Sequence, residues 1–309
     1  MKLTDLGERE LIKKLASFIE IGDDAACIKH GDEYLVLTTD LVYGKTHILP
    51  GMSWKQIGKL VVSVNLSDIA AMGARPVAFL LSYGSPDMEL DEFDELIHSV
   101  NEQCKKYGLR FAGGDTNQTE ELILSGFCVG TTDKPVLRST AKVGDILAVT
   151  GSLGDAALGT EILLKNLKHQ GRDVINKALE PEPRINEGIL LNNHATAMTD
   201  ISDSLAVSIY DLAEMSNVGI NVFPDKIPVT NSAMNSAEKL DLNLIDYVLY
   251  GGGDYELLFT IPKEGFEEIK DRVNATKIGD VTAGGITAIR DREEYKIDKK
   301  GYEHFIKRI

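Results

Sequence analysis

Apolar residues recur at helical spacing across residues 5–20, with Leu11, Leu15, Phe18 and Ile19 on one face and Asp5 and Glu8 spaced as a capping box. An amphipathic helix is predicted there, ending at Ile21-Gly22-Asp23-Asp24-Ala25-Ala26. Strand patterns at 25–29 and 33–39, joined by His30-Gly31-Asp32, predict a hairpin whose second strand runs into Thr38-Thr39-Asp40. After Pro50-Gly51, Ser53 can cap a helix whose buried side is Ile57, Leu60, Val61, Val64, Ile69 and Met72, with Gly73 as its stop. Asn65, Ser67 and Asp68 interrupt that apolar helix, and Asn65 and Asp68 share a face near its end. A core helix has no packing reason to hold an amide, a hydroxyl and a carboxylate together, so Asp68 is the first candidate for chemistry.

Further along, a strand is predicted at 77–83, a charged amphipathic helix at 91–107 and a strand at 109–112 that ends in Gly113-Gly114-Asp115-Thr116. Residues 121–132 read as the last strand of this half. The polar stretch 133–144 contains Pro135 and shows no periodicity, which makes it the candidate boundary between an N-terminal domain, 1–137, and a C-terminal domain, 138–309. In the second half, strands are predicted at 145–150, 196–199, 219–222 and 255–261. Helices are predicted at 154–169, around 188–192, from Asp200-Ile201-Ser202-Asp203-Ser204-Leu205 to Asn217, and at 264–273; a glycine-broken, β-rich end follows. Strands and helices alternate irregularly, with hairpins between them. That pattern indicates an α+β fold, mixed α/β in two domains, rather than a doubly wound parallel sheet.

The charge balance narrows the partners. With 33 Lys and Arg against 48 Asp and Glu, the net charge of −15 disfavours nucleic acid and anionic membrane. No apolar run approaches a membrane span, and the N-terminus lacks the apolar core of a signal peptide. Cys27, Cys104 and Cys128 are widely spaced with no CxxC pair, so a reducing cytoplasm is expected and neither a disulfide framework nor a zinc site is indicated.

A recurring device remains: an element end, a glycine or small residue, then aspartate, at Asp24, Asp40, Asp68, Asp115, Asp200 and Asp203. Any one of these would ordinarily be a turn or a helix cap. As a set, with the oxygens of Thr38-Thr39-Asp40 in a row, they suit a hard cation. Two unit charges 4 Å apart repel by about 4 kcal/mol at an effective dielectric near 20, so such a cluster can face a phosphate only with divalent ions between them. Several Mg²⁺ ions are the expected cofactor. Gly44-Lys45-Thr46 imitates the end of a P-loop, but Thr39 stands where its first glycine is required. The GxGxxG, HExxH and GxSxG patterns are missing in usable contexts.

The motifs Ile21-Gly22-Asp23-Asp24-Ala25-Ala26, Thr38-Thr39-Asp40, Val64-Asn65-Leu66-Ser67-Asp68-Ile69-Ala70-Ala71-Met72-Gly73-Ala74, Gly113-Gly114-Asp115-Thr116, Asp200-Ile201-Ser202-Asp203 and Asp254-Tyr255-Glu256-Leu257-Leu258-Phe259 occur in one order. In that order they resemble the thiamine-monophosphate kinase family, part of the ATP-binding superfamily typified by aminoimidazole ribonucleotide synthetase. Gly301-Tyr302 to Phe305 is similar to the family's C-terminal signature. The resemblance implies ATP-dependent phosphorylation of thiamine monophosphate to thiamine diphosphate, in a homodimer formed through the N-terminal sheets. It further implies Asp24, Thr38, Thr39, Asp40, Asp68, Asp115, Asp200 and Asp203 as metal ligands. Gly114, Asp115, Arg138 and Ser202 would contact ATP, and His47 and Tyr302 the thiamine phosphate. No general base is implied, because the acceptor is already an anion. Two positions depart from the family pattern: Ser204 replaces the glycine of Asp-Ile-Ser-Asp-Gly-Leu, and Gly253 replaces a glutamate usually directed at the substrate. Two alternatives stay open: another synthetase-like ATP-dependent enzyme, and a catalytically inactive Mg²⁺- and nucleotide-binding dimer.

Overall fold

The computed structural model describes residues 2–167 and 171–306. Its first lobe contains α1 (Glu8–Ala16), β1 (Ala26–His30), β2 (Glu33–Tyr43), α2 (Gly44–His47), α3 (Trp54–Ala71), β3 (Arg75–Ser85), α4 (Leu90–Lys106), β4 (Arg110–Gln118) and β5 (Ile123–Thr132). The strands form one mixed sheet in the order β1-β2-β5-β3-β4, with only β3 and β4 parallel. Its second lobe continues with β6 (Ile146–Thr150), α5 (Asp155–Leu164), α6 (Arg172–Leu179), α7 (Ile185–Leu191), β7 (Ala197–Asp200), α8 (Leu205–Ser216) and β8 (Gly219–Val222). There follow α9 (Asn231–Lys239), α10 (Leu244–Tyr250), β9 (Leu257–Ile261), α11 (Lys263–Ile269), β10 (Ala275–Thr282), β11 (Ile286–Arg290) and β12 (Glu293–Lys296). These strands order as β12-β11-β8-β10-β6-β9-β7, again mixed. The fold is therefore two mixed α/β units, as the irregular alternation of patterns predicts. Among the described residues no helix is long and apolar enough to cross a membrane.

Helix α3 is the centre of the first lobe. Ser53 and Gln56 close a reciprocal capping box at its start, and the apolar stripe from Ile57 to Ala71 is buried. Gly58 lets α4 approach, since a Cβ there would run into the Leu96 carbonyl and the Ser99 hydroxyl. Gly188 does the same for α7, whose backbone seats against the Ala70 carbonyl. Residues of both lobes consequently share one apolar core, in which Val61, Ile69 and Phe79 join Val136, Ile185, Leu191 and Phe259.

Several local expectations change. The first helix is split: residues 3–5 form a short 3₁₀ turn, Gly7 has φ of 79°, and α1 begins only at Glu8. The capping interaction is from the Lys2 amide to Asp5 (2.7 Å), because the left-handed glycine prevents the continuous helix that an Asp5–Glu8 box would start. Leu15, Phe18 and Ile19 are exposed. The strand expected to stop at residue 112 runs to Gln118; Gly114 permits this, since a Cβ there would collide with the Leu81 backbone of β3. The helix expected over 154–169 ends at Leu164, and the prediction for residues 168 and 169 lies outside the described residues. Helices α6, α9 and α10 span only eight, nine and seven residues, two turns or so each, too short for the pattern to single them out.

Candidate active site

Three carboxylates from three elements converge. Asp68 comes from the last turn of α3, Asp24 from the segment before β1 and Asp200 from the end of β7. One oxygen from each lies within 4.8 Å of the others. Around them the polar residues of α3 find their partners. Asn65 accepts from the Asp40 amide (2.9 Å) and donates to the Val61 carbonyl (2.8 Å), fixing β2 against the helix. Ser67 donates to Asp200 (2.5 Å), tying the two lobes together. Thr38 donates to Asp68 (2.5 Å). The amide and hydroxyl in the core are thus supports for the carboxylates.

Arg138 is the cation of this group. Its Nε and Nη2 fork onto Asp24 at 3.0 and 2.5 Å, its amide donates to Asp23 (2.6 Å), and Thr199 donates to Asp24 (2.9 Å). One guanidinium does not balance the cluster. Burial, followed by the fields of Asp40, Asp200 and Asp24, holds the Asp68 carboxyl well above the usual carboxylate range. Burial and then Asp24 push Asp200 up to about 7. Asp203, in the loop before α8, is raised to about 6, mainly by burial, and Asp40 is raised by burial and Asp24. A set of oxygen acceptors this short of positive charge fits a hard divalent cation.

The other predicted residues lie around this centre or away from it. Thr38 and Asp40 face α3, whereas Thr39, one position out of phase on β2, turns to the opposite face and donates to the Gly126 carbonyl (2.8 Å). Gly114 and Asp115 sit on exposed β4, where Asp115 accepts from Asn117 (2.6 Å). The register runs Asp40, Gly126, Leu81, Gly114 across the sheet. Three strand spacings of ~4.8 Å place Gly114 about 14 Å from Asp40 within one chain. Ser202 is exposed on the rim beside Asp203. His47 ends α2, its Nδ1 facing the Tyr43 amide (3.1 Å) and its ring 5.8 Å from that of His304; Tyr302 packs edge-on against the same His304 ring at 4.9 Å. Burial, then His304, lowers the His47 pKa.

Known family models match both lobes of the chain. The AIR synthase related protein N-terminal domain matches residues 22–132 and its C-terminal domain residues 142–292. Thiamine-monophosphate kinase of Pyrococcus horikoshii is 35% identical over 98% of this chain and 97% of that protein. The Aquifex aeolicus enzyme of the same name is 35% identical over 99% of this chain and 100% of its own. The chain belongs to the thiamine-monophosphate kinase family. Among solved structures, AaThiL complexed with AMPPCP and TMP superposes with a TM-score of 0.92 at 34% identity, covering 98% of this chain and 99% of that one. A chain of the HypE–HypF complex, 20% identical with a TM-score of 0.75 over 93% of this chain and 98% of its own, shares the fold.

Some contributors of this family member have no signal in its sequence pattern. Thr199 bridges Arg138 and Asp24, yet it reads as an ordinary strand residue. Tyr255 adopts a left-handed backbone (φ 51°), uncommon for a bulky residue, and packs beneath the acidic cluster, whose carboxylates add to burial in raising its pKa. The acids flanking it are structural. Asp254 accepts from the Gly154 and Ala156 amides at the start of α5 (2.8 and 3.1 Å), and Glu256 forms a buried fork with Arg184. Gly253, where the family usually has glutamate, sits at φ 89°, a conformation that favours glycine.

Proposed function

We propose that this chain transfers the γ-phosphoryl group of ATP to the phosphate of thiamine monophosphate, giving ADP and thiamine diphosphate. The observation that carries the reading is the acidic centre assembled from both lobes, in a chain that superposes on AaThiL complexed with AMPPCP and TMP. Asp24, Thr38, Asp40, Asp68, Asp200 and Asp203 would hold Mg²⁺ at the cleft, while Thr39 and Asp115, on the opposite, exposed face of the sheet, would offer oxygen ligands on that side. Bound there, Mg²⁺ would neutralise the charge shared by donor and acceptor phosphates. Arg138, whose Nε and Nη2 hold Asp24, would present Nη1 to a phosphate oxygen, Gly114, Asp115 and Ser202 would border the nucleotide, and His47 and Tyr302 would border the thiamine phosphate. The acceptor oxygen is anionic at neutral pH, so these residues need only hold donor and acceptor in line; none has to take a proton. The N-terminal unit would end at residue 137. Three free thiols, two of them buried, are in keeping with work in the cytoplasm. Incubating the protein with ATP, Mg²⁺ and thiamine monophosphate should yield thiamine diphosphate and ADP in equal amounts. Failure to form thiamine diphosphate would overturn the reading.

The same reading includes a homodimer. Ile28, Leu41, Val77 and Leu80 are exposed on β1, β2 and β3, and Gly114 and Asp115 lie far from Asp40 in their own chain. A partner covering that sheet would bury the apolar face and bring a second Asp115 toward the centre. Sedimentation at micromolar concentration should give twice the 33.8 kDa chain mass. Replacing Val77 and Leu80 together by lysine should give monomers without activity.

A further inference from the structure

Residues 300–304 run between two surfaces. On one side, the Tyr302 amide donates to the Asp203 carbonyl (3.3 Å), Ser204 Oγ donates to the Lys300 carbonyl (2.6 Å), and a Cβ on Gly301 would meet Ser204 Oγ at 2.7 Å. On the other side lies the start of α1. Arg9 donates through Nη2 to the Tyr302 carbonyl (2.8 Å), through Nη1 to Glu303 Oε2 (2.6 Å) and through its amide to Glu303 Oε1 (3.2 Å). The Glu8 amide donates to the His304 carbonyl (3.3 Å), and the His304 amide returns a bond to the Glu8 carboxylate (3.0 Å). Arg9 Nη2 is also 3.8 Å from Asp203 Oδ2. One guanidinium therefore links the first helix, the segment bearing Tyr302 and the loop bearing Asp203.

The pair is no loose surface contact, since the Arg9 and Glu303 side chains are 23% and 11% exposed. Neither end belongs to the apolar core: α1 buries no residue of its own, and residues 300–304 lie in neither sheet. We propose that Arg9 is a positioning residue for the acceptor substrate: it docks residues 300–304 so that Tyr302 and His304 form a fixed wall beside His47 and Asp203. The proposal rests on the kinase reading for the identity of that substrate. Ser204 is the second anchor of the same segment, supplied where the family commonly has glycine and no side chain could reach Lys300.

Two measurements separate this role from a general loss of stability. In steady-state assays, Arg9→Met should raise KM for thiamine monophosphate about tenfold, the size expected when charge-assisted hydrogen bonds are lost, with kcat and KM for ATP within about twofold. Arg9→Lys, which can keep one of the contacts, should fall between, and Ser204→Gly should raise the same KM about threefold. In hydrogen exchange on the ligand-free protein, the amides of Tyr302 and His304 should exchange faster in Arg9→Met, while those of α3 stay protected. An unchanged KM for thiamine monophosphate, an equal loss in kcat alone, or unchanged exchange at residues 302–304 would overturn the proposal. Should the wild-type protein form no thiamine diphosphate, the kinase reading fails, and the exchange experiment still decides whether Arg9 holds the segment.

Discussion

Asp68→Asn should leave a folded protein whose turnover is lowered by about 10²- to 10³-fold or more, the range seen when one group that stabilises transition-state charge is removed. Asparagine has the same shape and can still accept from Thr38, so the packing of α3 is preserved. What is lost is a negative charge that Asp24, Asp40 and Asp200 already disfavour. The ion-free variant should therefore melt no lower than the wild type. A carboxyl whose folded pKa lies above its unfolded value binds more protons folded than unfolded, so its favourable contribution is full below the unfolded pKa and is lost as pH rises through the folded one. For Asp200 that window closes at about 7. Without divalent ions, wild-type stability should fall as pH rises toward 7, and fall less steeply in Asp68→Asn. Protons and Mg²⁺ compete for the same oxygens, so the rise in Tm on adding Mg²⁺ should be larger at pH 8 than at pH 6, and largely absent in the variant. Near-normal turnover in Asp68→Asn would sink the metal-cluster reading.

The second large effect is on folding. Arg138→Met strands Asp24, whose side chain is 0% exposed while that of Arg138 is 21% exposed. Burial opposes the charge on Arg138, yet Asp24 beside it holds the guanidinium firmly protonated. Removing one partner of a buried pair costs about 3–5 kcal/mol, because the other charge is left unpaired. In a chain of this size the fall in Tm should be on the order of 10 °C. Arg138→Lys should recover little, since an ammonium cannot fork onto both carboxylate oxygens as well as meet Thr199. Adding Asp24→Asn to Arg138→Met should restore most of the loss in thermal melts. A melting temperature for Arg138→Met within 2 or 3 degrees of wild type would show, at about 1 kcal/mol, that the pair is not needed for folding.

The architecture was largely legible where apolar periodicity is strong. Helix α3, with its Ser53 cap and buried stripe, follows from the pattern alone, as does the anomaly of Asp68 within it. Asp24 and Asp200 could be placed with Asp68 because each ends an element and belongs to a motif; their convergence within 4.8 Å is tertiary. The first helix departs from its pattern because Gly7 is a conformational stop that a capping-box spacing conceals. The Arg9–Glu303 contact joins positions 294 apart, and no local pattern in α1 distinguishes a charge that reaches the far end of the chain from one that faces water. Thr199 and Tyr255 lie in the same class: an ordinary strand residue and an ordinary aromatic until the backbone and neighbours are seen.

Gly188, seated on the Ala70 carbonyl, and Ser67, bonded to Asp200, have a consequence for motion. They lock the helix bearing Asp68 to the lobe bearing Asp200, with a continuous core behind them. Swinging the lobes apart would break that core, so the spacing of Asp68 and Asp200 is set by packing rather than by whatever binds between them. Outside that core, α1 and the α2 turn bury no residue of their own, and the C-terminal segment is fastened by hydrogen bonds instead of apolar packing.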